Sequence, residues 1–295
     1  MYPITHMVVS NNQLLIALEN RQILKIDQIN PKAQIEIDLN AHITDKTKTS
    51  VVSDIFIDPT GKHCLFSLCV KPDFAISSDT LKASDRKLRV PFENFYYGKR
   101  VSTLTKLKGH LITAVGWNTL NLLDTNISNT GSVLIGTSKG KIFETQFNSD
   151  DRFLGSKEAF NRQVCELPQN DNNSSPDSVE PIYAINIIKL RNNSTKLNGS
   201  TNPTYCILVA TGSFLYYFIG DTQAGSSSNY LKDIANTSAS ASLFRIFENP
   251  EQKMHKEILC SLKCSKLDLF YPPVMPQSSA ISMFPKSFGW LTSEF

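Results

Sequence analysis

A chain of 295 residues with a hydrophobic share of 41% buries about 75% of its unfolded surface on folding, which excludes wholesale disorder and allows one large domain or two ordinary ones. The formal net charge is only +3 and Lys and Arg are scattered, so no sustained patch for nucleic acid or a membrane surface is encoded. No apolar run reaches the length of a membrane-spanning helix.

Short apolar runs rich in Ile, Val, Phe and Tyr, bounded by Asn, Gly, Asp and Pro, read as strands. The first are "ITHMVVS" (4–10) and the hairpin "LLIALENRQILKI" (14–26). "VSDIFIDPTGKHCLFSL" (52–68) places a tight turn between two apolar runs, with Pro59 presetting φ and Gly61 tolerating positive φ. The third strand of that unit is delayed to "ENFYYG" (93–98) by a polar insertion near 71–92. "LITAVGW" (111–117) leads into the hairpin "VLIGTSKGKIFET" (133–145), where Gly140 permits a short reversal. "DRFLGSKEAFNRQV" (151–164) predicts a helix. "IYAINIIKL" (182–190) precedes the third hairpin, "ILVATGSFLYYFI" (207–219). "EQKMHKEILCSLKCSKLDLF" (251–270) predicts a second helix between units, on a stripe of Ile258, Leu259, Cys260 and Leu262. A last unit opens in "SAISMFPKSFGWLTSEF" (279–295).

Units of three strands thus start near 4, 52, 111, 182 and 280. A sheet this small cannot bury both faces alone, so copies must stack around an axis and share their cores. The prediction is an all-β fold, a β-propeller with WD40-like blades and long polar inter-strand loops. One segment, 1–295, carries about four blades and the start of a fifth, the ring being incomplete because the chain ends mid-blade. A β-sandwich or closed barrel does not call for recurring units of one internal grammar. The insertion 71–92 and the Asn/Ser-rich stretches 167–181, 191–203 and 221–242 are expected as disordered loops, too poor in large apolar side chains to offset their ordering entropy. Subtracting them brings the repeat towards the roughly 40–45 residues of a blade. Gly136 and Ala210 are expected where neighbouring sheets approach closely. An open ring also exposes a blade face and strand edges, which predicts limited stability in isolation.

No catalytic, cofactor-binding or metal-binding residue is assigned. The chain lacks a Gly-x-Ser-x-Gly elbow, a phosphate-binding Gly-x-x-x-x-Gly-Lys-Ser/Thr loop and a Gly-x-Gly-x-x-Gly fingerprint. Cys260 and Cys264, with His255 upstream, could offer zinc ligands, but a closed structural site needs four; they read as packing on a helix face. His6, His42, His63 and His110 are too widely separated for a ligand set, and His110 in "LKGHLI" reads as a structural hydrogen-bonding residue. Asp54 and Asp58 cap the "DPTG" turn, whereas Asp124, Asp150 and Asp151 read as solvated. Trp117, Trp290 and the run "FLYYF" (214–218) read chiefly as core. The remaining cysteines, Cys64, Cys69, Cys165 and Cys206, sit in or beside apolar runs without framework spacing, which suits free thiols in a reducing, cytoplasmic setting. The opening "MYPITHMVVS" has no secretory-signal pattern. The basic run "KASDRKLR" (82–89) and the sequons at Asn126, Asn193, Asn198 and Asn236 read as ordinary loop sequence.

The segments "VVSNNQLLIALENRQILKID", "IFIDPTGKHCLF", "LKGHLITAVGWN", "TGSVLIGTSKGKIFE" and "YYFIG" together resemble, in order, the amino-terminal region of the vacuolar protein sorting-associated protein 18 (deep orange) family. The resemblance implies a β-propeller that in the family precedes an α-solenoid and a RING zinc module. It implies a non-catalytic scaffold, a subunit of the class C tethering complexes HOPS and CORVET, acting in vesicle docking, membrane fusion and vacuolar protein sorting. The implied partners are the other class C subunits, with SNARE proteins and Rab GTPases engaged indirectly, and no nucleic acid. The implied location is peripheral, through the complex, on late endosome and lysosome or vacuole membranes. Gly220 and Trp117 carry over as structural motif residues only. Zinc binding and ubiquitin-ligase activity do not carry over, because solenoid and RING are missing from this sequence. The alternative is a propeller scaffold or adaptor unrelated to membrane traffic.

Overall fold

The computed structural model describes residues 2–70, 89–118, 130–149, 158–168, 180–190, 204–221, 243–247, 254–258, 264–270 and 287–292. Its strands fall into four four-stranded antiparallel sheets and one two-stranded sheet, each consecutive in sequence. The first sheet is β1 (Ile4–Ser10), β2 (Gln13–Leu18), β3 (Gln22–Asp27) and β4 (Gln34–Asp38). The second is β5 (Ser50–Ile57), β6 (Cys64–Val70), β7 (Pro91–Tyr97) and β8 (Val101–Thr103). The third is β9 (Ile112–Trp117), β10 (Val133–Thr137), β11 (Lys141–Phe147) and β12 (Glu158–Glu166). The fourth is β13 (Ala184–Lys189), β14 (Thr204–Ala210), β15 (Phe214–Asp221) and β16 (Met254–Ile258), and the fifth pairs β17 (Cys264–Phe270) with β18 (Ser287–Thr292).

The opening strand of each sheet lies against the opening strand of the next: β1 on β5, β5 on β9, β9 on β13, β13 on β17. Radial stacking of sheets around their innermost strands is the arrangement of a β-propeller. Each of the four four-stranded blades has a fourth strand beyond the three read from the sequence, because the outer edge of the third strand carries N–H and C=O groups that need partners.

That demand also explains where the two expected helices went. Residues 158–166 form β12, paired along β11 from Lys141 to Phe147, and Val164 and Cys165 are buried there. Residues 254–258 form β16 on the edge of β15. "CSKLDLF" forms β17, paired with β18 through Leu267↔Trp290 and Leu269↔Phe288; its strict alternation of Leu with Lys and Asp is a strand period. The fifth sheet therefore opens at Cys264, earlier than the expected unit start near 280. The described helical turns are short 3-10 segments at Leu39–Ala41, Thr105–Leu107 and Phe244–Phe247. Of the four expected loops, 191–203 and the greater parts of 71–92, 167–181 and 221–242 lie outside the described residues.

The sheets pack head to tail. Leu15, Ala17, Ile23 and Ile37 of the first sheet share a cluster with Ile55, Phe66 and Phe95 of the second. The opposite face of the second sheet, Leu65 and Tyr96, packs on Val133, Ile135 and Phe143 of the third. The opposite face of the third, Ala114, Leu134 and Ile142, packs on Ile185, Val209 and Tyr216 of the fourth. The far face of the fourth gathers Ala184, Leu208, Ala210 and Leu215. A strand covered on both sides loses its alternation: every residue of β10 is buried.

Close approach explains the small residues. A Cβ on Gly136 would lie 2.7 Å from Ile182 Cγ2, and one on Gly116 would lie 2.6 Å from Ile185 Cγ2. Both glycines bring the third sheet onto the fourth. Gly61 and Gly140 take φ of +73° and +65° in their turns, as their positions in "DPTG" and "TSKGK" require. Gly136→Ala is expected to destabilise the chain by about 1–3 kcal/mol through overpacking. Pairing it with Ile182→Ala should cost less than the two single effects summed, a non-additivity read from urea unfolding midpoints.

Candidate interaction surface

At one end of the stack, the turn between the second and third strands of a blade is tied to an inter-blade connection. Arg21 takes φ of +68° in the β2–β3 turn, and its guanidinium donates to Ser50 O and Oγ at 3.1 and 3.2 Å. Asn40 donates to Asn20 O at 2.9 Å across the same turn. In the third blade, Thr137 and Gly140 accept from Ile182 N and Leu167 N at 3.2 and 2.9 Å. In the fourth, the Glu180 carboxylate accepts from Ser213 N at 2.9 Å and Ser213 Oγ at 2.7 Å. Leu167, Pro168, Glu180, Thr211, Phe214 and Tyr216 line a small recess there.

Buried polar side chains lock the connections from inside. The Glu93 carboxylate accepts from Thr44 N at 3.2 Å and from Thr44 Oγ1. Asn94 Nδ2 donates to Leu107 O and His110 O, both at 2.9 Å, while its Oδ1 accepts from Ser67 Oγ at 2.8 Å. Thr113 Oγ1 donates to Ile182 O at 2.6 Å, joining the third blade to the fourth. Glu144 is fully buried, accepting from Leu243 N at 2.6 Å and from Ser132 Oγ. Leu243, Ile246 and Phe247 thereby enter the core between the third and fourth sheets. A buried carboxylate is costly unless such donors meet it. The result is a set of connections held by specific bonds over a rigid stack.

The residues singled out by sequence fall into this scheme as structural parts. Asp58 accepts from Thr60 N, Lys62 N and His63 N, at 3.2, 2.8 and 2.8 Å, and so caps the β5–β6 turn. Asp54 meets Ser53 Oγ at 3.1 Å. His110 makes its hydrogen bonds through the backbone, and its ring sits edge-on to Phe143 at 4.8 Å. Burial, aided by Lys139 and Lys141, lowers its pKa from the ordinary 6.5. Sequence reasoning missed the role of His63, whose Nδ1 meets Tyr96 Oη at 2.7 Å inside the second blade. Tyr96 in turn stacks on Phe147 of the third blade at 4.7 Å. The signal lies only in its place after the turn, at the start of a buried strand.

Tyr216 and Phe218 are core, and Trp117 packs against the cluster between the second and third sheets. Trp290 lies on β18. His255 is on β16, whereas Cys264 opens β17 in the next sheet. A shared helix face is therefore ruled out, and Cys260 lies outside the described residues. So do Asp124, Asp150, Asp151, the sequons at Asn126, Asn193, Asn198 and Asn236, and residues 82–88. Among the described residues no group of three or more His, Cys, Asp or Glu could hold a metal. Burial pushes the Cys64 thiol up to about 12 and the Cys165 thiol up to about 11, which makes both poor nucleophiles. No helix among the described residues is long and apolar enough to cross a membrane.

The family model described as the Pep3/Vps18/deep orange beta-propeller domain matches residues 2–294. A zebrafish (Danio rerio) relative named vacuolar protein sorting-associated protein 18 homolog is 25% identical over 283 residues, covering 96% of this chain and 23% of its own. A Drosophila melanogaster relative of the same name is 27% identical over 252 residues, covering 82% and 20%. The chain thus spans less than a quarter of the length of these relatives. Among solved structures, the Cps50 (Swd1) β-propeller domain of Myceliophteria thermophila is 15% identical with a TM-score of 0.35, covering 77% of this chain and 55% of its own. The Pan2 WD40 domain of Neurospora crassa is 11% identical with a TM-score of 0.31, covering 74% and 46%.

Two outcomes test the locking scheme. Glu144→Leu leaves Leu243 N–H and the Ser132 hydroxyl without their acceptor, at a cost of about 1–3 kcal/mol; hydrogen exchange should show residues 243–247 losing protection first. His110 has a lowered folded pKa, so as pH falls below 6.5 the unfolded chain takes up its proton before the folded one. Its stabilising contribution is complete above that value and is lost as pH falls towards the folded pKa. Urea midpoints at about pH 7.5 and about pH 5.5 should therefore differ more for the unmodified chain than for His110→Gln.

Proposed function

The chain belongs to the Pep3/Vps18/deep orange β-propeller family, and from that premise we propose that it acts as a non-catalytic interaction module of a class C tethering assembly in vacuolar protein sorting. The observation that carries this reading is the family match over residues 2–294, seconded by relatives named for vacuolar sorting. In this reading the module works in the cytoplasm and reaches late endosome and lysosome or vacuole membranes peripherally, through its assembly. Other class C subunits are its direct partners; SNARE proteins and Rab GTPases are reached through them in docking and fusion.

The physical logic is preorganisation. A partner that binds loops on a packed scaffold has less conformational entropy to remove than one that must order them. The Arg21–Ser50, Glu180–Ser213 and Glu93–Thr44 bonds hold the connections in place before any partner arrives. The thiols with strongly raised pKa belong to packing, which suits a scaffold better than a covalent catalyst.

An affinity-tagged chain expressed in its own cells tests this reading. The expected result is recovery of the other class C subunits at near-equal amounts. Recovery of none of them, or of a nuclear or ubiquitin-ligase assembly instead, would overturn it.

A further inference from the structure

Lysines that are scattered along the sequence are collected by the fold at one corner. The connection from the second blade to the third is "LTKLKGHL" (104–111), and the turn between β10 and β11 is "SKGK" (138–141). Because β9 leads away from that connection and β10 returns, both segments lie at the same end of the stack. Ser138 N donates to Leu111 O at 3.0 Å, which joins them. The connection is itself pinned: Asn94 Nδ2 donates to Leu107 O and His110 O, and Lys108 N donates to Thr105 O at 3.3 Å. Lys106, Lys108, Gly109 and Lys139 are exposed, and a Cβ on Gly109 would meet nothing within 4 Å.

Together the two segments hold four lysines and no acidic residue, a local charge of +4 against a net +3 for the whole chain. Lys141 is half-buried and pairs with Glu166 at 3.5 Å, whereas Lys106, Lys108 and Lys139 take part in no ion pair among the described residues. The carboxylates of the same two blades, Glu93 and Glu144, are buried and already engaged by Thr44 and Leu243. The positive field reaches the neighbouring ring: burial first, then the charges of Lys139 and Lys141, lower the pKa of His110. We propose that this corner docks an extended acidic segment of a partner polypeptide, whose Asp and Glu side chains pair with Lys106, Lys108 and Lys139.

Charge complementarity sets the sign of the partner, and the rest of the corner sets its class. The amines stand on two loops over open surface, which suits an extended chain, and the missing side chain at Gly109 leaves room for a backbone to approach. None of the exposed large apolar residues falls in either segment, so nothing there enters a bilayer interface. Neither segment holds a Phe, Tyr or Trp on which a nucleic-acid base would stack. The loops are bonded in place beforehand, so docking has little of their conformational entropy to remove. The inference does not rest on the tethering reading, since it concerns the chemistry of this corner whatever assembly supplies the acidic segment.

Fluorescence anisotropy with a labelled peptide alternating Asp or Glu with Ser tests it, beside the same peptide carrying Asn and Gln instead. The acidic peptide should bind the full chain, the amide peptide should not, and binding should fade as salt screens it. Lys106→Glu, Lys108→Glu and Lys139→Glu combined should weaken binding at least ~10-fold. Lys32→Glu, Lys99→Glu and Arg100→Glu combined make the same charge change on exposed turns at the opposite end of the stack, and should leave binding within about twofold, as expected of charges beyond a screening length. Equal loss from the two triple variants would overturn the proposal, since total charge alone would then explain the binding. So would failure of the acidic peptide to bind, or phosphatidylserine vesicles binding through the same lysines more tightly than the peptide. Should the triple variant misfold, carbodiimide coupling of the acidic peptide to the unmodified chain reads the same surface. The joined peptides should map to Lys106, Lys108 or Lys139, and a map confined to other lysines would equally overturn it.

Discussion

Burial on both faces of each sheet is the constraint on which the structure depends. A four-stranded sheet with one covered face can alternate apolar and polar residues; one gripped between two neighbours cannot. The middle blades meet this by making β6 and β10 apolar almost throughout, buried from Cys64 to Cys69 and from Val133 to Thr137. The stack then needs small residues where two backbones converge, which Gly116 and Gly136 supply. It also needs polar atoms to be paired where connections cross from blade to blade, which Glu93, Asn94, Thr113 and Glu144 provide.

Under the proposed reading, function follows from rigidity rather than from a reactive group. The side chains with strongly raised pKa, Cys64 and Tyr96 among them, are displaced chiefly by burial and lie between sheets. The polar residues that cross between blades are spent on fixing connections. A scaffold of this kind offers partners a preformed surface, which accords with a family whose members are named for vacuolar sorting.

Much of this was legible in the sequence because the deciding signals are local. Pro59 and Gly61, or Gly140, specify turns over four or five residues, and the apolar runs beside them specify strands. The fourth strands were harder to read. "EAFNRQVCE" and "MHKEI" have no strong strand pattern of their own and become strands because the edges of β11 and β15 impose it, an override of weak local preference. The locking bonds were illegible for a different reason: Glu93 meets Thr44 and Glu144 meets Leu243 across long stretches of chain. An acidic residue inside an apolar strand signals that a donor exists, but not which one. His63 is similar, its partner Tyr96 lying on the next strand but 33 residues along the chain.

The head-to-tail packing of adjacent blades is most directly tested by disulfide trapping between the third and fourth sheets. An ideal Cβ on Gly116 lies 3.2 Å from Ile185 Cβ, close to the span of about 3.5–4.5 Å that a disulfide bridges. The account predicts that Gly116→Cys with Ile185→Cys crosslinks under mild oxidation of the folded chain, seen as one joined peptide by mass spectrometry. Two thiols that stay separately alkylatable, with no joined peptide, would contradict it.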